Sequence, residues 1–348
     1  MSNFPFSAQL IAWQKQHGRH DLPWQQTQDA YRIWLSEIML QQTQVATVIP
    51  YYLRFIRCFP TVESLADAPI ESVLELWAGL GYYARARNLH RCAQAVVAEY
   101  GGKFPVAPEE MDRLPGIGRS TAAAISAFAF GTRAAILDGN VKRVLTRCFG
   151  IEGYPASAPI ERELWRLAES LLPSREIEAY TQGLMDLGST VCTRRNPFCN
   201  ACPMHAACVA RLQGRQQELP VSRPKKVVPE RETYMLIVTD GRQVLLERRP
   251  PAGIWGGLLT LPEGGVAEAR DFARRYGCRL LEMRAMKSLK HSFSHFHLHI
   301  HTLFCSVEVK ATLVAESGWQ WLGCDEIESA ALPAPIRRLL RAMPRVQA

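Results

Sequence analysis

No run of about eighteen consecutive apolar residues occurs in the chain, so nothing in it reads as a membrane-spanning helix. The stretch from Phe4 to Trp13 is broken by polar residues and lacks an early basic region, so no secretory signal is expected. Acidic residues are outnumbered: 33 Asp and Glu face 41 Lys and Arg, and the net charge of +8 favours a polyanionic partner without identifying it. Without a leader, the ten cysteines are expected to stay reduced in the cytoplasm, available for metal rather than for disulfides. At 348 residues the chain can fold as two domains, each burying its own core.

The stretch around which the rest is organised is Leu114-Pro115-Gly116-Ile117-Gly118-Arg119-Ser120-Thr121. Two glycines remove Cβ from a tight turn between an apolar segment (Met111, Leu114) and an Ala-rich one (Ala122 to Phe128), which reads as a helix-hairpin-helix. Bare amides at the start of the second helix, with Arg119 beside them, attract a phosphate without regard to base identity. An ordinary turn between packed helices is the alternative. Asp138 follows where the next apolar run stops and a helical run (Val141, Val144, Leu145, Cys148) begins. As a plain cap it satisfies amides two or three residues on. As a catalyst it is a carboxylate kept ionised by that helix start, facing a developing positive charge.

Earlier, a helix from Tyr31 to about Thr43 packs Tyr31, Trp34, Leu35 and Ile38 inward. Glu37, Gln41 and Gln44 then fall on one line, flanked by Gln42 and Thr43. A solvated stripe explains this, but a carboxyl between Trp34 and Ile38 is also placed to be desolvated and to hold a proton near neutral pH. The glutamine amides can donate and accept along base edges. Further on, Gly79-Leu80-Gly81-Tyr82 is a glycine turn whose Leu80 and Tyr82 either wedge into a base stack or pack inward.

Cys192, Cys199, Cys202 and Cys208 lie within one short segment with spacings x6, x2 and x5, too compact for the two separated pairs of a zinc ribbon. A four-iron, four-sulfur cluster is favoured over structural zinc, with Arg194 and Arg195 on the loop between the first two cysteines. From Leu219 to Glu230 the composition turns to proline and basic residues, a linker. Strand-like segments follow: Thr233 to Thr239, a turn at Asp240-Gly241, Val244 to Glu247, and later Trp319 to Leu322, before a helix from Pro335 to Met343. Gly253-Ile254-Trp255-Gly256-Gly257-Leu258 to Gly264-Gly265 resembles the opening of a Nudix hydrolase domain. The carboxylates of a working Nudix box are missing, with Asp271-Phe272 and Arg275-Tyr276 in their place, so a hard divalent cation lacks oxygen ligands and nucleotide hydrolysis is not expected. From His295 to His301, histidines alternate with Phe296, Leu298 and Ile300, giving a strand with one imidazole face. With no acid interleaved, these histidines are expected to be solvated or to contact bases rather than to capture zinc.

Together, Ser36-Glu37-Ile38-Met39-Leu40-Gln41-Gln42-Thr43-Gln44-Val45, the Gly79 turn, the hairpin, Asp138 and the four cysteines resemble the MutY-type adenine DNA glycosylases of the helix-hairpin-helix superfamily, nearly end to end. That resemblance implies a multidomain α and α+β fold: an all-α glycosylase domain over 1–218 with its iron-sulfur loop at 192–208, a linker over 219–230, and a Nudix-like lesion-recognition domain over 231–348. It implies removal of adenine mispaired with 8-oxoguanine or guanine from double-stranded DNA, by a monomer carrying one 4Fe-4S cluster. Glu37 would protonate adenine N7 and Asp138 would stabilise the oxocarbenium-like sugar. Gln42, Thr43, Leu80, Tyr82, Gly116, Gly118, Ser120 and Lys142 would meet DNA, as would a Phe293-Ser294-His295 loop that reads 8-oxoguanine. Endonuclease-III-like relatives place a lysine two residues after the second hairpin glycine; Ser120 stands there and is a poor Schiff-base former, so a monofunctional enzyme is implied. A DNA-binding redox sensor is compatible with the same cysteines, and turnover separates the two.

Overall fold

The computed structural model describes residues 4–223, 227–250, 253–275, 278–293, 295–309, 318–328 and 330–344. It divides into two compact units: Met1–Ala68 with Asn88–Lys225, and Pro69–Arg87 with Lys226–Ala348.

In the first unit the early helices are α1 (Phe6–His17), α2 (Ala30–Leu40), α3 (Val45–Cys58) and α4 (Val62–Ala66). In the second unit, α5 (Ile70–Trp77) is followed by α6 (Ala84–Tyr100), which runs on into the first. The first unit continues with α7 (Pro108–Met111), α8 (Arg119–Phe130), α9 (Gly139–Phe149), α10 (Ala158–Ser170), α11 (Ile177–Asp186) and α12 (Val209–Leu212). Asp29 caps α2, its carboxylate accepting the Tyr31 N–H at 2.9 Å. The helix stops at Leu40, earlier than the apolar pattern predicts, because Gln41 leaves the helical region and Gln42 turns left-handed at φ 57°. Glu37 and Gln44 therefore do not share one helical line.

α8 is buried almost all round, from Ala122 to Ala127. Its small side chains let α2, α7 and α11 come close, which an Ala-rich helix favours and a Leu-rich one would prevent. Phe6, Leu10, Leu145, Leu164, Leu184 and Leu187 fill the core between α1, α9, α10 and α11. Truncating one such leucine to alanine costs about 2–5 kcal/mol through lost burial and a residual cavity. At Gly183 a Cβ would lie 3.1 Å from Leu10 and 3.2 Å from Gln14, so the α1–α11 approach depends on the missing side chain.

The second unit holds a seven-stranded mixed sheet, with β1 (Glu230–Thr239), β2 (Gln243–Arg248), β3 (Leu259–Thr260), β4 (Cys278–Ala285), β5 (Leu289–Ser292), β6 (His297–Val309) and β7 (Trp319–Gly323). Its order is β3-β2-β1-β6-β4, with β5 on β6 and β7 on β2; β1 and β6 run parallel. Asp240 Oδ1 accepts the Arg242 and Gln243 N–H groups at 2.8 Å each, closing the β1–β2 hairpin. Two further helices are α13 (Val266–Arg275) and α14 (Ala334–Arg341). Ala269 of α13 joins Leu236, Val238, Leu245, Cys305 and Val307 in a core on the sheet. Phe296, just before β6, and Leu298 and Ile300 on it are buried, whereas His297, His299 and His301 stay half-buried on the other side. Acids reach these histidines from the neighbouring strand: His299 Nε2 lies 3.3 Å from Glu230 and His301 Nε2 lies 3.8 Å from Glu232. Spacing within one strand could not reveal that, since β1 and β6 are far apart in the chain. Among the described residues, no three His, Cys, Asp or Glu side chains are placed to hold a single metal ion.

Candidate active site

Glu37 sits on α2 in the wall of a cavity of about 560 Å³, a volume suited to a small ligand. Trp24, Ile33, Ser36 and Phe128 supply part of the lining, and Gln14, Arg19, Gln25 and Gln182 give it polar edges. The Glu37 carboxyl is half-buried, yet protein packed around it pushes its pKa up to about 8, and the charge of Asp138 adds to the shift. The fold thus brings together two carboxyl groups that belong to different helices.

Asp138 occupies the N-cap of α9, and its Oδ1 accepts the Val141 N–H at 2.8 Å. Burial raises its pKa; hydrogen bonds from the Val141 and Asn140 amides and the charges of Arg143 and Lys142 oppose that rise. The cap and the candidate catalyst are one arrangement. The two amides and two cations around Asp138 favour its ionised form against that burial, and its charge adds to the rise at Glu37.

The hairpin forms as its glycines predict. Gly116 adopts φ +80°, and a Cβ there would meet Asn88 Cβ at 2.7 Å; Gly118 is the N-cap of α8, with open space where its Cβ would be. Arg119 does not stand free beside those amides. Its guanidinium pairs with Glu169 and lies 3.8 Å over the Trp165 ring, both on α10. Lys142 is likewise held, 2.5 Å from Glu161 on the same helix. Ser120 faces inward, its Oγ accepting the Leu137 N–H at 2.9 Å.

In the second unit, Leu80 is only 6% exposed and packs inward. Tyr82, at φ 50° and about half exposed, is the side chain this turn presents, with Arg85 over its ring. Gln42 and Tyr82 are two of only four non-glycine residues with left-handed backbones among those described. Such strain costs of order 1–3 kcal/mol and collects at functional positions. Thr43 is half-buried, its Oγ1 donating to Gln41 O at 3.3 Å. Phe293 stacks on Phe296 at 4.6 Å and meets Trp255 at 5.7 Å; His295 is exposed beside Phe296. Ser294 lies outside the described residues. Within α13, Glu268 accepts the Gly265 N–H at 2.8 Å and Asp271 is exposed, so the helix offers a cap and no converging metal ligands among the described residues.

Cys192, Cys199, Cys202 and Cys208 line one small pocket with Arg147. Four thiols around one small space are a donor set that fits an iron-sulfur cluster. Two arginines one turn apart on α9 clamp this segment, which sequence reasoning missed. Arg143 donates to Cys192 O and Gly188 O at 2.7 and 2.6 Å. Arg147, 3% exposed, donates to Thr193 O, Arg194 O and Leu219 O at 2.7, 3.0 and 2.7 Å and reaches Cys192 Sγ at 3.4 Å. Their i, i+4 spacing was the available signal. A second omission is Asp186, buried on α11, which accepts from Arg19 Nε at 2.7 Å and from Gln182 Nε2 at 2.9 Å beside the cavity.

Residues 35–170 match the model of the HhH-GPD superfamily base excision DNA repair proteins, and residues 233–342 match the NUDIX domain. The adenine DNA glycosylase of Buchnera aphidicola (subsp. Baizongia pistaciae) is 34% identical, over 98% of this chain and 97% of its own. The chain belongs to the adenine DNA glycosylases. As such it is a monofunctional DNA glycosylase of base excision repair. The human adenine DNA glycosylase is 33% identical over 97% of this chain and 73% of its own. A thermostable thymine-DNA glycosylase structure is 32% identical with TM-score 0.55, covering 60% of this chain and 95% of that one. Endonuclease III in a non-covalent DNA complex, 21% identical with TM-score 0.53, shares the helical fold. The glycosylase thus joins an HhH-GPD helical unit to a Nudix-like mixed sheet.

Proposed function

We propose that the chain hydrolyses the N-glycosidic bond of adenine mispaired with 8-oxoguanine or guanine in double-stranded DNA, leaving an abasic site. The observation that carries this reading is Glu37, a carboxyl held protonated near neutral pH in a cavity wall by burial and by the charge of Asp138. Adenine leaves poorly until protonated, so Glu37 gives its proton to N7 as the bond electrons move into the ring. The sugar is left as an oxocarbenium-like cation, which the Asp138 carboxylate stabilises until water adds and gives up a proton to the now-ionised Glu37. The base must leave the stack first. Tyr82 is the wedge this reading favours, the hairpin amides at Gly116 and Gly118 grip a phosphate, and Gln42 and Thr43 meet the lesion pair. Lys142 reaches phosphate once it exchanges Glu161. Phe293, Ser294 and His295 read 8-oxoguanine in this account.

Cys192, Cys199, Cys202 and Cys208 would hold a 4Fe-4S cluster, which when bound cross-links its loop. Arg143 and Arg147 orient that loop against α9 through backbone carbonyls. A brown, iron-containing protein is expected; a colourless one carrying zinc would reverse the assignment. The reading also takes the chain to be a cytoplasmic monomer. No helix among the described residues is long and apolar enough to cross a membrane.

Single-turnover base release on duplexes with adenine opposite each of 8-oxoguanine, guanine, cytosine and thymine tests the assignment. Fast release opposite 8-oxoguanine and guanine alone is expected. Equal release opposite thymine would remove the mispair specificity, and efficient borohydride trapping of the parent would remove the purely hydrolytic route.

A further inference from the structure

Between Gly131, the left-handed C-cap of α8, and Asp138, the chain runs back along α8 without forming a strand. Ala135, Ile136 and Leu137 are buried there, so their backbone groups cannot rely on bulk water. The Leu137 N–H finds its partner in the Ser120 hydroxyl at 2.9 Å, on the first turn of α8. One residue later the chain enters the N-cap of α9, and the Asp138 carboxylate turns onto the Val141 N–H. The carboxylate is therefore located from two sides: by its own helix ahead and by Ser120 behind.

We propose that Ser120 is a positioning residue for Asp138, acting through the Leu137 amide rather than touching substrate. This rests on the reading of Asp138 as the group that faces the sugar cation. The role needs an acceptor of the right reach. Threonine retains the hydroxyl, a cysteine thiol accepts only weakly, and alanine leaves a buried N–H without a partner. A lysine ammonium has no acceptor at all, so the serine at this place does more than withhold an amine. Without the anchor the 137–138 backbone is free to shift, and a carboxylate displaced by a fraction of an ångström from the developing charge loses rate steeply.

The test is a series at position 120 in the full iron-loaded chain: Ser120→Thr, Ser120→Cys and Ser120→Ala. Single-turnover adenine release is followed across pH. Duplex affinity is measured separately in a Glu37→Gln background, where the base stays attached. The expected order of rates is serine and threonine, then cysteine, then alanine, with alanine down roughly tenfold. Affinity should stay within about twofold throughout, since Ser120 makes no DNA contact in this account. The acidic limb of the alanine profile should move to higher pH, because a carboxylate drifting from the Val141 amide loses a bond that favours its ionised form. Unchanged release by Ser120→Ala at every pH would overturn the proposal. So would a rate loss matched by an equal loss of affinity with no change of profile, which would make Ser120 part of the phosphate grip. Should alanine fail to fold, the threonine-against-cysteine difference decides on the same terms. Asp138→Asn at parental activity would instead remove the reading of Asp138 itself, which separates the two failures.

Discussion

Glu37 in the helical unit is pushed up to about 8, whereas Glu230 and Glu268 in the sheet unit are pulled below the usual carboxylate range by a lysine ammonium and by backbone amides. The first lines a cavity, stripped of water and with the charge of Asp138 acting on it; the other two stand in water beside donors made for anions. Glu247 on β2 is also raised, by burial first and by the charge of Glu263 as well, but there the charge of Arg249 opposes the shift. The same residue type is thus held above its ordinary pKa at Glu37 and below it, as an ion-pair partner or a cap, at Glu230 and Glu268. A NUDIX match is therefore evidence of a frame, and the chemistry depends on which carboxylates have been stripped of water and cations.

The sharpest way to break this contrast is to remove the acid. Glu37→Gln should lower single-turnover base release about 10²–10⁴-fold, the range for a positioned general acid, while Glu230→Gln and Glu268→Gln leave it near parental. A comparable loss from either sheet-unit change would end the comparison. Asp138→Asn should cost about 10²–10³-fold through lost stabilisation of the cation, read in the same assay.

pH sharpens it further. Release should fall as pH rises through about 8, where Glu37 loses its proton, and the fall should be absent from the residual activity of Glu37→Gln. Stability follows the same group. Its folded pKa lies above the ordinary 4.5, so its stabilisation is whole below about that value and is lost as pH climbs through about 8. Thermal melts at pH 9 should accordingly show Glu37→Gln more stable than the parent, with the gap closing at pH 5.

The smallest effect concerns α10. Glu161→Gln frees Lys142, and at low salt should raise affinity for any duplex a few-fold and steepen its salt dependence by about one phosphate. Fluorescence anisotropy over a salt series reads both; an unchanged slope would mean that Lys142 does not reach phosphate.

Much of this was legible in the residues. Periodicity marks the packing side of α2, glycine spacing marks the hairpin, and alternation marks β6 with its two faces. Residue pattern alone does not decide where a side chain has more than one acceptable environment. Gly79 and Gly81 permit a turn but do not say which of Leu80 and Tyr82 points outward; packing buried the leucine and left the tyrosine exposed. Arg119 beside bare amides reads as a phosphate ligand until α10 brings Trp165 and Glu169 to it. The end of α2 was misplaced because Gln41 to Gln44 are acceptable helix formers, and only the left-handed turn at Gln42 overrides them.

What the sequence determined by itself is what depends on neighbours along the chain: helix and strand periods, the glycine turn, the compact set of four cysteines, and the missing Nudix carboxylates. Tertiary structure alone decided the electrostatics. The Glu37 carboxyl is pushed up because surrounding helices exclude water and because α9 carries the charge of Asp138 to it, and the Ser120 hydroxyl meets the Leu137 N–H only because residue 137 returns to α8. Desolvation and Coulomb energy depend on distance in space, and no local pattern of residues encodes that distance.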